Sequence, residues 1–106
     1  MIFVETTVFT RLLADHLSDE EYRALQNQLI ARPESGALIK GSGGVRKARW
    51  ASGGKGKSGG VRVIYYWAKE VDRMYMLTLY GKSEKESLSS GDLKRVARFV
   101  AELTDD

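Results

Sequence analysis

The chain has no cysteine, one proline and one histidine among its 106 residues. The absence of cysteine excludes disulfides and thiolate metal sites, which fits a reducing compartment. A nuclease built on a histidine pair is excluded, and we interpret His16 as a partly exposed helix residue beside acidic neighbours. There is no bilayer-length apolar run and no signal-peptide pattern at the start. We therefore expect a cytoplasmic protein that needs no metal or cofactor and does not associate with a membrane.

Acidic residues are absent from positions 35–69, and this segment carries eight basic ones: Lys40, Arg46, Lys47, Arg49, Lys55, Lys57, Arg62 and Lys69. The rest of the chain holds nine basic and 14 acidic residues, so it is net negative. Such segregation costs self-repulsion and usually serves a charged partner. Phosphate is the expected partner, because lysine and arginine bind it by charge and through several donors.

The length predicts one domain over residues 1–106. Hydrophobic periodicity, the capping box Ser18–Glu21 and the break at Pro33 predict seven elements. They are a short strand at 1–5, a helix starting near Thr7, a helix at 18–32, strands at 45–51, 61–67 and 74–80, and a helix from Ser90 or Asp92 to Leu103. Residues 36–44 and 52–60 are predicted loops. The order indicates an α+β fold, in which an antiparallel β-meander is covered by two N-terminal helices and one C-terminal helix.

The segment ASGGKGKS at positions 51–58 resembles a phosphate-binding loop at its end. Ala51 stands where the first glycine of that motif belongs, and a strand follows where the motif needs a helix N-terminus. We therefore reject the phosphate-loop interpretation. The segment is instead predicted to be a glycine-rich hairpin loop between two strands.

That hairpin is expected to gather cations. Lys47 and Arg49 share one face of their strand, and the turn brings Arg62 beside them. Tyr80 ends the last strand at the same edge if the meander is regular. The simpler interpretation is a solvated basic edge that prevents sheet aggregation, and a general nucleic-acid surface would give the same pattern. The absence of any compensating acid favours a defined site.

Several segments together resemble the RelE/HigB toxins of type II toxin–antitoxin systems, with the HigB-like branch as the closest match. They are Leu17-Ser-Asp-Glu-Glu-Tyr22, Gly43-Gly-Val-Arg-Lys47, Gly54-Lys-Gly-Lys57, Arg62-Val-Ile-Tyr-Tyr and Leu77-Thr-Leu-Tyr-Gly-Lys82. The resemblance implies a microbial RNase fold and ribosome-dependent cleavage of mRNA in the A site. It also implies a cognate antitoxin, a HigA-like helix-turn-helix protein, and a toxin that is monomeric outside the complex.

The resemblance also assigns residues. It matches the paired basic residues of the second strand to Lys47 and Arg49, the strand arginine to Arg62, and the lysine after the last strand to Lys82. Two positions depart from the RelE pattern. Ser83 stands where that pattern has an arginine, and at about position 89, where it has a tyrosine, this chain has Ser89. The general base is therefore open among Lys47, Lys55, Lys57 and Tyr80. The predicted catalytic set is Lys47, Arg49, Arg62, Tyr80 and Lys82, and the predicted RNA-contact set is Lys40, Arg46, Lys55, Lys57 and Lys85.

The expected chemistry is metal-independent attack of the ribose 2′-hydroxyl on the adjacent phosphorus. Arg62 would clamp the phosphate with help from Arg49, and Lys82 would act as the acid or stabilise charge. One alternative is a non-catalytic RNA- or ribosome-binding module, or a degenerate toxin, which stops translation without cutting. Another is a domain that binds an acidic protein and has no toxicity.

Overall fold

The computed structural model describes residues 1–50 and 60–104. Within them the chain forms β1 (Ile2–Glu5), α1 (Thr7–His16), α2 (Asp19–Ala31), β2 (Ala37–Leu38), β3 (Arg46–Trp50), β4 (Val61–Ala68), a 3₁₀ turn (Lys69–Val71), β5 (Arg73–Gly81) and α3 (Ser90–Thr104). The predicted α+β class is confirmed. No helix in these two ranges is both long and apolar enough to cross a membrane.

The strands form one sheet in the order β1-β5-β4-β3-β2. The predicted antiparallel meander is confirmed, since β3 pairs with β4 and β4 with β5 in antiparallel fashion. Two features extend it. β1 runs parallel to β5, with Phe3 opposite Met74. The two-residue strand β2 pairs with β3 inside residues 36–44, which we predicted to be loop throughout.

Local hydrogen bonds set where the first two helices begin. The Thr6 hydroxyl accepts a hydrogen bond from the Phe9 amide at 3.0 Å, so Thr6 is the N-cap of α1. At α2 the predicted capping box is present, because Ser18 and Glu21 each accept a bond from the other's amide. These bonds satisfy amides that a helix start otherwise leaves unpaired.

The core lies on both faces of the sheet. On the first, which we call the helix-pair face, α1 and α2 cover the strands, and Phe9, Leu25 and Leu29 are fully buried there. On the second, the α3 face, the buried helix residues are Val96 and Val100. Each such side chain contributes roughly 1.5–3 kcal/mol through burial, so both faces stabilise the fold.

A β-bulge in β5 controls which side chains reach which face. Ile64 of β4 lies opposite Thr78 and Tyr65 opposite Met76, so Leu77 between them has no partner in the register. An extra residue of this kind reverses the alternation of side chains beyond it. As a result Met76 and Leu79 both pack on the helix-pair face, although residues three apart in a regular strand face opposite sides. Tyr80 faces α3.

Candidate active site

Three predicted site residues stand in one row across the sheet. Arg49 of β3 lies opposite Arg62 of β4, and Arg62 lies opposite Tyr80 of β5. Lys47 is two residues before Arg49 and therefore shares its face of β3. The row belongs to the α3 face, because Ile64, two residues after Arg62, packs in the α3 core. The structure thus brings Lys47, Arg49, Arg62 and Tyr80 to one end of that face.

Arg62 is the central residue of the row and is 7% exposed. Among the residues that the structure describes, it is the only charged one in the buried class. A guanidinium keeps its charge at any physiological pH, and removing it from water is costly. Arg49 beside it is exposed. This row therefore places a fixed positive charge below the surface and a second one at its rim.

Tyr80 is 3% exposed, and its hydroxyl is buried without a hydrogen-bond partner in the described ranges. Burial raises the pKa of Tyr80, and the positive charge of Arg62 opposes that rise only in part. The side chain is therefore a neutral phenol near pH 7 and can donate a hydrogen bond. A buried hydroxyl left unpaired costs free energy, so its retention calls for an explanation such as a ligand.

The turn after β5 carries two further cations. Lys82 is exposed, and its backbone amide donates to the Gly60 carbonyl at 3.1 Å, which ties the turn to the start of β4. The Nζ atom of Lys85 lies 5.0 Å from the centroid of the Tyr80 ring and 3.1 Å from the carboxylate of Asp92. The hydrogen bond from Lys85 is the main reason that the pKa of Asp92 is lowered. Lys85 is thereby held between the site and α3.

The other predicted RNA-contact residues lie elsewhere. Lys40 is exposed in the segment between β2 and β3. Arg46 belongs to the helix-pair face, where its guanidinium donates to the carbonyls of Glu34 at 3.0 Å and Gly36 at 2.7 Å. It supports the chain around β2 rather than the row. Lys55 and Lys57 are outside the described residues.

One contact near this end of the sheet was not predicted from the sequence. The side chain of His16, at the end of α1, is 10% exposed, and its Nε2 atom lies 3.2 Å from the carboxylate of Glu84. The residue as a whole is of intermediate exposure, as expected for a partly exposed helix position, but the contact with Glu84 was not expected. The acidic neighbours in sequence gave no signal for a contact with position 84, because only the packing of α1 beside β5 creates it.

The donor set suits an anionic ligand. Cations and a phenol gather at the row, and in residues 1–50 and 60–104 no group of three or more histidine, aspartate or glutamate side chains is arranged to hold a metal ion. A phosphate group would match the charge of Arg62 and accept from several donors at once. The arrangement could therefore bind a phosphate-bearing ligand.

Comparison with known proteins gives the family. The sequence profile described as the RelE toxin of the RelE/RelB toxin–antitoxin system matches residues 2–106. The chain belongs to the RelE toxin family. Its fold is similar to that of E. coli toxin RelE, solved in the free state as a double arginine mutant, with a TM-score of 0.60 and 12% sequence identity. That match covers 93% of this chain and 96% of E. coli RelE. The assignment to the HigB-like branch stays a prediction.

Proposed function

We propose that this RelE family member is a ribosome-dependent endoribonuclease that cleaves mRNA in the ribosomal A site and is neutralised by a cognate antitoxin. The observation that carries the proposal is the row of Arg49, Arg62 and Tyr80, in which a buried guanidinium stands beside a phenol whose hydroxyl has no hydrogen-bond partner in residues 1–50 and 60–104. A protein that used the Tyr80 hydroxyl only for its own stability would be expected to pair it. The cytoplasm is the compartment in which this activity would meet ribosomes.

The proposed reaction is an internal transfer of the phosphoryl group. The ribose 2′-oxygen attacks the adjacent phosphorus and forms a bond to it, the bond from phosphorus to the 5′-oxygen breaks, and the products carry a 2′,3′-cyclic phosphate and a 5′-hydroxyl. One proton leaves the 2′-hydroxyl for a base, and one reaches the 5′-oxygen from an acid. Charge on the phosphorane oxygens grows during the step, so fixed cations beside them lower the barrier.

The burial and register of these residues support the following proposed roles. Arg62 is the phosphate clamp and Arg49 assists it from the rim. Tyr80 fits a donor rather than a base, because burial raises the pKa of its hydroxyl and keeps it protonated at neutral pH. Lys47, which shares the face of β3 that carries Arg49, is then the candidate base among the described residues. Lys82, on the turn that follows Tyr80, is the candidate acid or stabilises charge on the leaving group.

The partner implied by the family resemblance is a HigA-like helix-turn-helix antitoxin, and we include it in the proposal. The cation cluster would attract an acidic segment of such a protein as well as RNA. Outside the complex we expect the toxin to be a monomer. Co-expression of the neighbouring gene product is therefore the natural control for any toxicity.

Mapping of transcript ends in induced cells tests the proposal. Primer extension on mRNA from cells that express the chain should show new 5′ ends inside translated regions, and co-expressed antitoxin should remove them. In a purified system, the same message should be cut only when ribosomes are present. Arrest of translation without new ends would contradict cleavage and favour a non-catalytic ribosome-binding module. Normal growth together with intact transcripts would contradict both.

A further inference from the structure

The contact between His16 and Glu84 joins α1 to the turn that carries Lys82 and Lys85. The Oε1 atom of Glu84 lies 3.2 Å from Nε2 of His16 and also accepts a hydrogen bond from the Gly81 amide at 2.7 Å. A single carboxylate oxygen is therefore held from two sides, by a helix and by the last residue of β5.

Backbone bonds close the same turn. The amides of Glu84 and Lys85 both point to the Gly81 carbonyl, at 2.9 and 3.4 Å. A Cβ atom at position 81 would stand 3.2 Å from Oε1 of Glu84, so glycine leaves the space that this carboxylate needs. Residues 81–85 thus form a short helical turn whose first amide is capped by the Glu84 side chain. Lys82 and Lys85 project from it.

The Glu84 side chain is 56% exposed, and a glutamate that exposed normally samples many rotamers. His16 is the opposite kind of residue, because its ring is nearly buried and its Nδ1 atom has no hydrogen-bond partner in the described part of the chain. Glu84 is the one polar partner that the structure gives this ring there. The presence of a nearly buried imidazole with this one polar partner is explained if the ring restrains the Glu84 carboxylate.

We propose that His16 is a positioning residue, which holds Glu84 against the Gly81 amide and so fixes the turn from which Lys82 and Lys85 reach the site. The position of these cations relative to the row of Arg62 and Tyr80 then depends on α1, which packs on the helix-pair face of the sheet. The catalytic consequence rests on the proposed nuclease function, whereas the positioning itself does not.

Matched variants separate this role from a merely structural one. His16→Leu removes the donor and keeps the bulk, His16→Gln keeps a donor near Nε2, and Ala14→Gln changes an exposed position of the same helix. Because small displacements of catalytic groups reduce rates strongly, we expect His16→Leu to lower kcat of ribosome-dependent cleavage about tenfold or more with little change in KM. His16→Gln should recover most of that loss, and Ala14→Gln should match the unmodified protein.

Epistasis tests the route through the turn. If His16 acts through Lys82, the loss caused by His16→Leu should largely disappear in a Lys82→Ala background, since contacts that work as a unit are not additive. Because Glu84 is exposed, its variants do not threaten the fold. Glu84→Ala should therefore reproduce His16→Leu even if the leucine variant folds poorly, and Glu84→Gln, which retains an acceptor oxygen, should be milder. If the unmodified protein cleaves RNA, equal kcat in all variants would overturn the catalytic consequence of the proposal.

Amide hydrogen exchange distinguishes failure here from failure of the nuclease function. In the unmodified protein the Gly81 amide should be protected, and His16→Leu or Glu84→Ala should speed its exchange while leaving the Leu79 amide, in the same strand, unchanged. That result would support the positioning role even in a protein that cuts no RNA. Unaltered Gly81 exchange in both variants would overturn it, whatever the cleavage assay shows.

Discussion

Two neighbouring rows of residues across β3, β4 and β5 differ in chemical character. The first row, Ala48, Val63 and Leu79, is apolar and packs under α1 and α2. The second, one residue away on each strand, is Arg49, Arg62 and Tyr80. The same strands therefore hold an apolar core row and a buried cation beside a hydroxyl that has no hydrogen-bond partner in the described residues. This departure from the rules of stable packing supports the proposal that the second row binds a ligand.

The largest expected effect comes from removing the buried charge. Arg62→Ala should lower the rate of ribosome-dependent cleavage by about 10²–10³, the usual cost of losing one contact to developing charge. Because Arg62 is buried on the α3 face, its removal also changes stability, and the rates should be compared below the melting temperature of each protein. Arg23→Ala, at an exposed position of α2, is the matched control and should keep full activity. Full activity of Arg62→Ala would remove this residue from the site.

Two tyrosines give the sharpest contrast between stability and function. Tyr65 is fully buried, and its hydroxyl donates to the Pro33 carbonyl at 2.8 Å and accepts from the Gly36 amide at 2.9 Å. Tyr65→Phe should therefore lower the free energy of unfolding by about 1–3 kcal/mol, because it leaves both partners unpaired. Below its melting temperature, that variant should still cleave normally.

Tyr80→Phe should show the reverse behaviour. It removes a hydroxyl without a partner in the described residues. The free energy of unfolding measured in denaturant should therefore change by less than about 0.5 kcal/mol. The cleavage rate should fall on the order of 10²-fold, as for loss of one hydrogen-bond donor to the developing charge. If instead Tyr80→Phe destabilises the protein as Tyr65→Phe does, the hydroxyl belongs to the fold and not to the reaction.

Arg49 is exposed at the rim and should affect binding more than rate. Each phosphate contact releases counterions, so Arg49→Ala should reduce the slope of log affinity against log salt by about one. Titration of labelled toxin with ribosomes at several potassium chloride concentrations measures this slope. Arg73→Ala, at the opposite end of β5, is the control. Equal slopes for all three proteins would place Arg49 outside the RNA interface.

The smallest effect is expected at Asp92, which accepts hydrogen bonds from Lys85 and Arg95. Since its pKa is lowered in the folded protein, these contacts stabilise the fold above the ordinary aspartate pKa near 3.9 and lose that effect as pH falls through the lower, folded value. Asp92→Asn should cost about 0.2–1 kcal/mol at pH 7 and less in high salt. Unfolding curves at pH 7 should separate the two proteins, and curves in strong acid should not.

The sequence was sufficient for features with a local cause. The capping box at Ser18 and the apolar stripe of α3 predicted the bounds of their helices to within a residue or two. The predicted meander also brought Arg49, Arg62 and Tyr80 to one edge. Non-local features were not predictable. The unpaired Leu77 depends on how β5 meets both neighbours, and the contact of His16 with Glu84 depends on the packing of α1. Strand alternation predicts that Arg46 faces away from Lys47 and Arg49, but its hydrogen bonds to the Glu34 and Gly36 carbonyls depend on how the chain around β2 folds back.

The parallel pairing of β1 with β5 has a consequence for synthesis. Ile2 pairs with Arg73, so the two partners are separated by more than half of the 106 residues. Long-range pairing of this kind closes late, and the chain must wait for β5 before either the sheet edge or the row with Tyr80 exists. A ribosome translating this message therefore holds β1 without its partner while α1, α2 and the strands up to β5 are made. The activity that we propose would begin only after β5 has been made.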